Sequence, residues 1–161
     1  MISIKENFLS EDLFDSLKEK IVNQQSIAFY YNKDVAHTNE SREDFYFTHI
    51  IYDNHKPNSE LFENMIPILK KLKVKSLIRI KLNLYTRTDK IVEHNSHIDY
   101  PFKHKAFLLS LNTCDGYTKF SDGTKVESLA NRIVFFDASK KHQSTTTSNA
   151  KLRYNINFNF I

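Results

Sequence analysis

Three side chains able to share a metal ion stand at His97, Asp99 and His142. His97-Ile98-Asp99 lies in the run Glu93-His94-Asn95-Ser96-His97-Ile98-Asp99-Tyr100-Pro101. In an extended chain positions 97 and 99 point to one face, so an imidazole and a carboxylate converge. His142 follows the apolar run Ile133-Val134-Phe135-Phe136, and Arg153 comes eleven positions later (153 − 142) where an alternating stretch begins. Two neutral imidazoles and one carboxylate on one side of an ion leave the opposite positions open. That suits non-haem ferrous iron that must also take a co-substrate and O₂. Singly, each residue has a plainer reading: a hydrogen-bonded histidine, an aspartate shaping the turn before Tyr-Pro, an arginine on an exposed strand. His94 and His97 form a His-x-x-His with no glutamate in a metalloprotease pattern, and His37, His49 and His55 carry no motif. Lys103, His104 and Lys105 read as a solvated loop at the mouth of the site.

The elements that must position these groups are mostly strands. Ile78, Ile80, Leu82 and Leu84 alternate with Arg79, Lys81, Asn83 and Tyr85. In a barrel that polar face lines a pocket rather than facing water. Residues 152–161 alternate in the same way, with Arg153, Asn155, Asn157 and Asn159 on the polar side. Short strands are expected at 106–112, 118–120, 125–127 and 133–136, with turns at Cys114-Asp115-Gly116-Tyr117, Asp122-Gly123 and Ala130-Asn131. The first half is more helical. Ser10 before Glu11-Asp12 predicts a helix over about 11–24, and Leu61, Phe62, Met65, Ile66, Leu69 and Leu72 predict a second one opening near Pro57-Asn58-Ser59 and interrupted at Pro67. Strands are expected at 1–7, 27–31 and 44–52, and loops at 32–43, 53–58 and 144–149, the first two placed where a substrate cover could form.

Length and composition narrow the classes. The 161 residues fit one domain, 1–161, and contain no apolar run of membrane-spanning length. No leader pattern opens the chain and Cys114 is its only cysteine, so a reducing, cytoplasmic setting without membrane partners is expected. Two glycines leave no room for a phosphate-cradling glycine loop. The net charge of +4 is spread thinly, which favours a solvated surface over a nucleic-acid footprint.

Residues from about 76 to 161 resemble the double-stranded β-helix of the prolyl-4-hydroxylase-like 2-oxoglutarate/Fe(II) dioxygenases. The resemblance lies in Tyr85, His97-Ile98-Asp99, Leu111-Asn112, the turn Asp115-Gly116-Tyr117-Thr118-Lys119-Phe120, Asn131 to Phe136, His142 and Arg153. It implies an α+β fold: a jelly-roll, cupin-like β core at about 76–161, with N-terminal helices of the supporting region, residues 1–75, packed on one sheet. It implies Fe(II) on His97, Asp99 and His142, and 2-oxoglutarate with its distal carboxylate on Arg153. Tyr85 and Asn83 would add hydrogen bonds, with Ser110 and Thr118 as weaker candidates, and O₂ and ascorbate complete the cofactor set. The implied activity is hydroxylation of a peptidyl residue, proline included, or of a small molecule. Asn83-Leu84-Tyr85 also resembles the Asn-x-Tyr of the nucleic-acid-repair branch, so oxidative demethylation of nucleic acid is the alternative; a non-catalytic metal-binding jelly roll is another. Oligomeric state is not readable. Asp115 and Tyr117 depart from the family's glycine and glutamate, which should alter a wall of the site. Asn131 replaces a glycine at a turn, a change asparagine's tolerance of positive φ permits.

Overall fold

A computed structural model describes residues 2–24, 27–36 and 44–161. His37 and the stretch of the expected cover loop from 37 to 43 lie outside the described residues. Among the described residues eleven strands form two antiparallel sheets: β1 (Ser3–Lys5), β2 (Tyr30–Asn32), β3 (Tyr46–Asp53), β4 (Lys56–Pro57), β5 (Leu77–Thr86), β6 (Lys105–Ser110), β7 (Tyr117–Phe120), β8 (Lys125–Glu127), β9 (Ile133–Asp137), β10 (His142–Gln143) and β11 (Leu152–Phe160). The large sheet runs β1-β9-β6-β11-β5-β3-β2, with β4 added to β3; the small one runs β10-β7-β8. Backbone bridges from Glu93 to Thr145 and from His97 to His142 carry the small sheet into the His-x-Asp segment. This is the expected double-stranded β-helix.

Alternation on β5 and β11 decides the layers. Ile80, Leu82, Ile156 and Phe158 are fully buried on the outer face of the large sheet. They join one core with Phe14, Leu17 and Ile21 from the first helix and Met65 and Ile68 from the second. Each such side chain contributes roughly 1.5–3 kcal/mol on leaving water. The opposite face of the same strands carries Arg79, Lys81, Asn83 and Tyr85, paired in register with Asn159, Asn157, Asn155 and Arg153. With both faces of the sheet covered, these polar residues are enclosed between the two sheets and need partners there.

The helices are α1 (Glu11–Lys18), which continues into a π-helical turn over Glu19–Asn23, and α2 (Phe62–Leu72). Ser10 precedes α1, but its side chain makes no capping bond. The second helix opens later than its sequence suggests, because Lys56 and Pro57 pair with β3 and Ser59 Oγ accepts the Leu61 N–H at 3.2 Å. It also runs unbroken through Pro67. The strand expected at 27–31 is shifted to Tyr30–Asn32 on the sheet edge.

The threonine-rich stretch after β10 lies outside the strands and helices, as expected of a loop, yet Thr145 and Thr147 are fully buried and bridge to Glu93 and Arg87. Their hydroxyls find local partners, Tyr117 N–H for Thr145 and Asp115 Oδ1 for Thr147, which is why a polar sequence fills an interior position. His104 is likewise buried rather than solvated, its Nδ1 at 2.8 Å from the Phe102 carbonyl. Asn131 has φ 60°, as its turn requires, and its amide both accepts from Leu9 N–H and donates to the Leu9 carbonyl, each at 2.9 Å.

Candidate active site

His97 and His142 face each other as a directly opposed antiparallel pair, exchanging N–H···O bonds in both directions at 2.9 Å. Opposed residues in such a pair project to one side, and Asp99, two positions on, shares that side. One donor atom from each of His97, Asp99 and His142 therefore falls within 4.8 Å of the others. His97 Nε2 lies 4.0 Å from Asp99 Oδ1, and His142 Nε2 lies 3.9 Å from Asp99 Oδ2. Each imidazole places Nδ1 near a main-chain carbonyl, His97 at 3.3 Å from Asn95 and His142 at 3.1 Å from Lys140. A proton on Nδ1 satisfies that carbonyl and leaves both Nε2 lone pairs free for an ion.

The electrostatics keep His97 and Asp99 in the forms a cation needs. Burial, reinforced by the charge of His142, pushes His97 down to about 4, so it is neutral near pH 7. Burial alone would raise the Asp99 pKa. The opposing pull of His142, Arg79 and Lys81, together with the Asn159 hydrogen bond, wins and holds the carboxyl well below its ordinary value. Asp99 is gripped by Asn159 Nδ2 at 2.7 Å, Asn157 Nδ2 at 3.2 Å and Arg79 at 3.3 Å. Two imidazole nitrogens and an ionised carboxylate, fixed from behind, fit a divalent transition metal with open positions.

Arg153 lies deeper in the barrel. It is 2% exposed and donates to Ser128 Oγ at 3.3 Å, the Thr145 carbonyl at 2.9 Å and Thr118 Oγ1 at 3.1 Å, with its guanidinium 5.3 Å from the Tyr85 ring centre. No carboxylate pairs with it among the described residues. A buried guanidinium met only by neutral groups retains an unfilled demand for an anion. Gly116 makes its position possible: a Cβ there would stand 2.6 Å from Arg153 Cδ and 2.6 Å from the Thr146 carbonyl.

The other predicted residues divide. Tyr85 is buried between the rings of Tyr46 and His94, centroids 5.7 and 5.4 Å away. Asn83 donates to Asn155 Oδ1 at 2.9 Å, while its own Oδ1 is buried with no hydrogen-bond partner among the described residues. Thr118 touches Arg153, whereas Ser110 reaches it only through Ser128. Tyr117 does not form a wall of the site. Its hydroxyl donates to Glu93 Oε1 at 2.7 Å on the other side of the small sheet, beside Lys119 and Lys125.

Arg79, Lys81, Asn157 and Asn159 also border the candidate site, although sequence reading assigned them only to the polar faces of two strands. Their signal was the polar alternation of two strands, which becomes specific only once the β5–β11 register sets Asn157 opposite Lys81 and Asn159 opposite Arg79. Between Lys81, Asn83, Tyr85, Thr118 and the triad is an enclosed space of about 30 Å³, and outside it an open cleft of about 400 Å³. The inner space has room for about one water, so a five-carbon diacid requires the lining side chains to give way. A separate apolar groove of about 420 Å³ lies by Lys103–Ala106 and Phe160 and includes none of the triad.

The fold is a double-stranded β-helix, and solved structures of the same fold match nearly the whole chain. The chain is similar to a prolyl hydroxylase from Trichoplax adhaerens, solved with a hypoxia-inducible-factor peptide, with TM-score 0.72 and 16% identity over 99% of this chain and 83% of that one. It is also similar to the viral collagen prolyl hydroxylase of Paramecium bursaria Chlorella virus-1 in its 2-oxoglutarate complex, with TM-score 0.65 and 12% identity over 98% and 93%. A non-haem α-ketoglutarate-dependent epimerase of nogalamycin biosynthesis matches with TM-score 0.67 and 11% identity over 99% and 78%. No protein-family model and no curated protein sequence matches the chain. No helix among the described residues is long and apolar enough to cross a membrane.

Proposed function

We propose that the chain, acting as one domain, is an Fe(II)- and 2-oxoglutarate-dependent dioxygenase that hydroxylates a peptidyl residue or a small molecule. The observation that carries this reading is the convergence of His97, Asp99 and His142, with both Nδ1 atoms against carbonyls and the Nε2 atoms turned to a common point. His97 and His142 would hold ferrous iron through Nε2 and Asp99 through one oxygen. Arg153 would take the distal carboxylate of 2-oxoglutarate through paired N–H groups, and Thr118, Asn83 and Tyr85 would border that molecule. Bound there, ferrous iron with O₂ and 2-oxoglutarate supplies the oxidation that converts one C–H to C–OH while 2-oxoglutarate leaves as succinate and CO₂. Arg79, Asn157 and Asn159 keep the Asp99 carboxylate ionised and fixed. The inner space admits about one water, while the open cleft beside His97 and Asp99 leaves the outer side of the triad accessible to a substrate.

A hydroxylase is preferred to an epimerase or a demethylase because several of the similar structures are prolyl hydroxylases, and one of them, at TM-score 0.72, was solved with a peptide. Fold alone does not select the substrate. The test is release of ¹⁴CO₂ from 1-labelled 2-oxoglutarate with Fe(II) and ascorbate. Slow turnover, abolished in His97→Ala, supports the reading. Absence of any release from the iron-loaded wild type leaves a metal-binding jelly roll instead.

A further inference from the structure

The cleft outside the triad has an unusual lining. Arg79, Lys81 and Lys141 border it, and the only acid among its lining residues is Asp99, whose oxygens are occupied by Arg79, Asn157 and Asn159 and by the proposed metal. Lys81 Nζ donates to Tyr46 Oη at 3.2 Å and forms no ion pair among the described residues. Its side chain is half-buried, and it lines both the enclosed space at the triad and the open cleft. Arg79 Nε, one residue pair along the same strand face, is a buried donor with no hydrogen-bond partner among the described residues. An unpaired ammonium and an unused guanidine N–H on one wall, close to a metal-binding carboxylate, are costly unless something brings an acceptor to them. Burial and the neighbouring Arg79 lower the Lys81 pKa to about 8, against the opposing pull of the Asp99 carboxylate.

We propose that the primary substrate of this oxygenase is a small carboxylic acid, whose carboxylate docks on Lys81 and the Arg79 Nε–H and so sets which carbon faces the metal. The proposal rests on the hydroxylase reading above, with Arg153 serving the co-substrate and Lys81 the substrate. The cleft, about 400 Å³, falls at the small end of ligand pockets, which favours a free acid such as an amino acid over an extended peptide. Once a metal draws on the charge of Asp99, Arg79 and Lys81 lose their nearest compensating anion, and a substrate carboxylate restores it.

The experiment pairs free L-amino acids, proline among them, and short dicarboxylic acids with their carboxamides. Succinate formation from 2-oxoglutarate is measured on iron-loaded protein. At least one acid should stimulate turnover tenfold or more over its amide, and Lys81→Met should lose that stimulation while Lys81→Arg keeps some of it. The 2-oxoglutarate dependence of the anaerobic Fe(II) charge-transfer band is read alongside for each variant. Three results overturn the proposal: acids and amides acting alike or not at all on a wild type that turns over 2-oxoglutarate, stimulation surviving in Lys81→Met, or Lys81→Met shifting the 2-oxoglutarate midpoint as Arg153→Ala does. If the wild type shows neither band nor turnover, it is the hydroxylase reading that fails.

Discussion

His94 shows what enclosure does to one side chain. Burial, helped by the charges of Arg153 and His97, takes its pKa down to about 4, from an ordinary 6.5. The folded chain therefore binds this proton less readily than the unfolded chain does. The stabilising difference is complete above about pH 6.5 and disappears as pH falls towards 4, a loss of about 3 kcal/mol over the window. Urea unfolding of the metal-free protein between pH 7 and 4.5 should show that decline, and His94→Gln should flatten it in some measure; an unchanged slope would mean the ring is not held neutral by its surroundings. Gly116 carries the opposite kind of constraint, steric rather than electrostatic. In Gly116→Ala the added methyl meets a main-chain carbonyl that cannot move aside, so stability should fall by about 1–3 kcal/mol and 2-oxoglutarate should bind more weakly. Isothermal titration with the co-substrate measures the second effect, and wild-type affinity in that variant would contradict the role given to the turn.

The strands that build the site could be read from alternation, and their partners could not. The polar residues of β5 and β11 were visible as a face, but whether that face met water or a barrel interior depended on the sheet curling over it, a non-local property. The triad was legible for a simpler reason. A His-x-Asp in an extended segment fixes two ligands by local geometry, and only the third needed the register of His142 against His97. His104 was misread because its ring is satisfied by the Phe102 carbonyl, a contact that sequence spacing does not reveal, and the burial of the threonine loop was hidden for the same reason. Asn131 was read correctly through its φ, although its second task was hidden: clamping Leu9, 122 positions away, just ahead of α1. Asn131→Ala loses both buried bonds and strains the turn, at a cost of about 2–4 kcal/mol. Asn131→Gly loses only the bonds and should cost less. Equilibrium urea midpoints separate the two, and equal losses would remove backbone conformation from the explanation.

The whole chain works as a covered barrel: helices shield one face of the large sheet so that its other face can be polar without being wet. β1, from the start of the chain, pairs with β9 near its end, so the metal-binding half is not independent of the residues before it. The likeness to prolyl hydroxylases at 12–16% identity reflects this arrangement of layers more than any shared surface. The central claim is that the triad and Arg153 together hold iron and a diacid. Anaerobic titration of Fe(II)-loaded protein with 2-oxoglutarate tests it most directly, by the visible charge-transfer band of a chelated keto acid. The wild type should develop a saturable band, His142→Ala should show none, and Arg153→Ala should reach the same band only at concentrations on the order of a hundredfold higher, the loss expected when a paired charge-assisted contact is removed. A wild type without the band, or a His142→Ala variant that keeps it, would contradict the account.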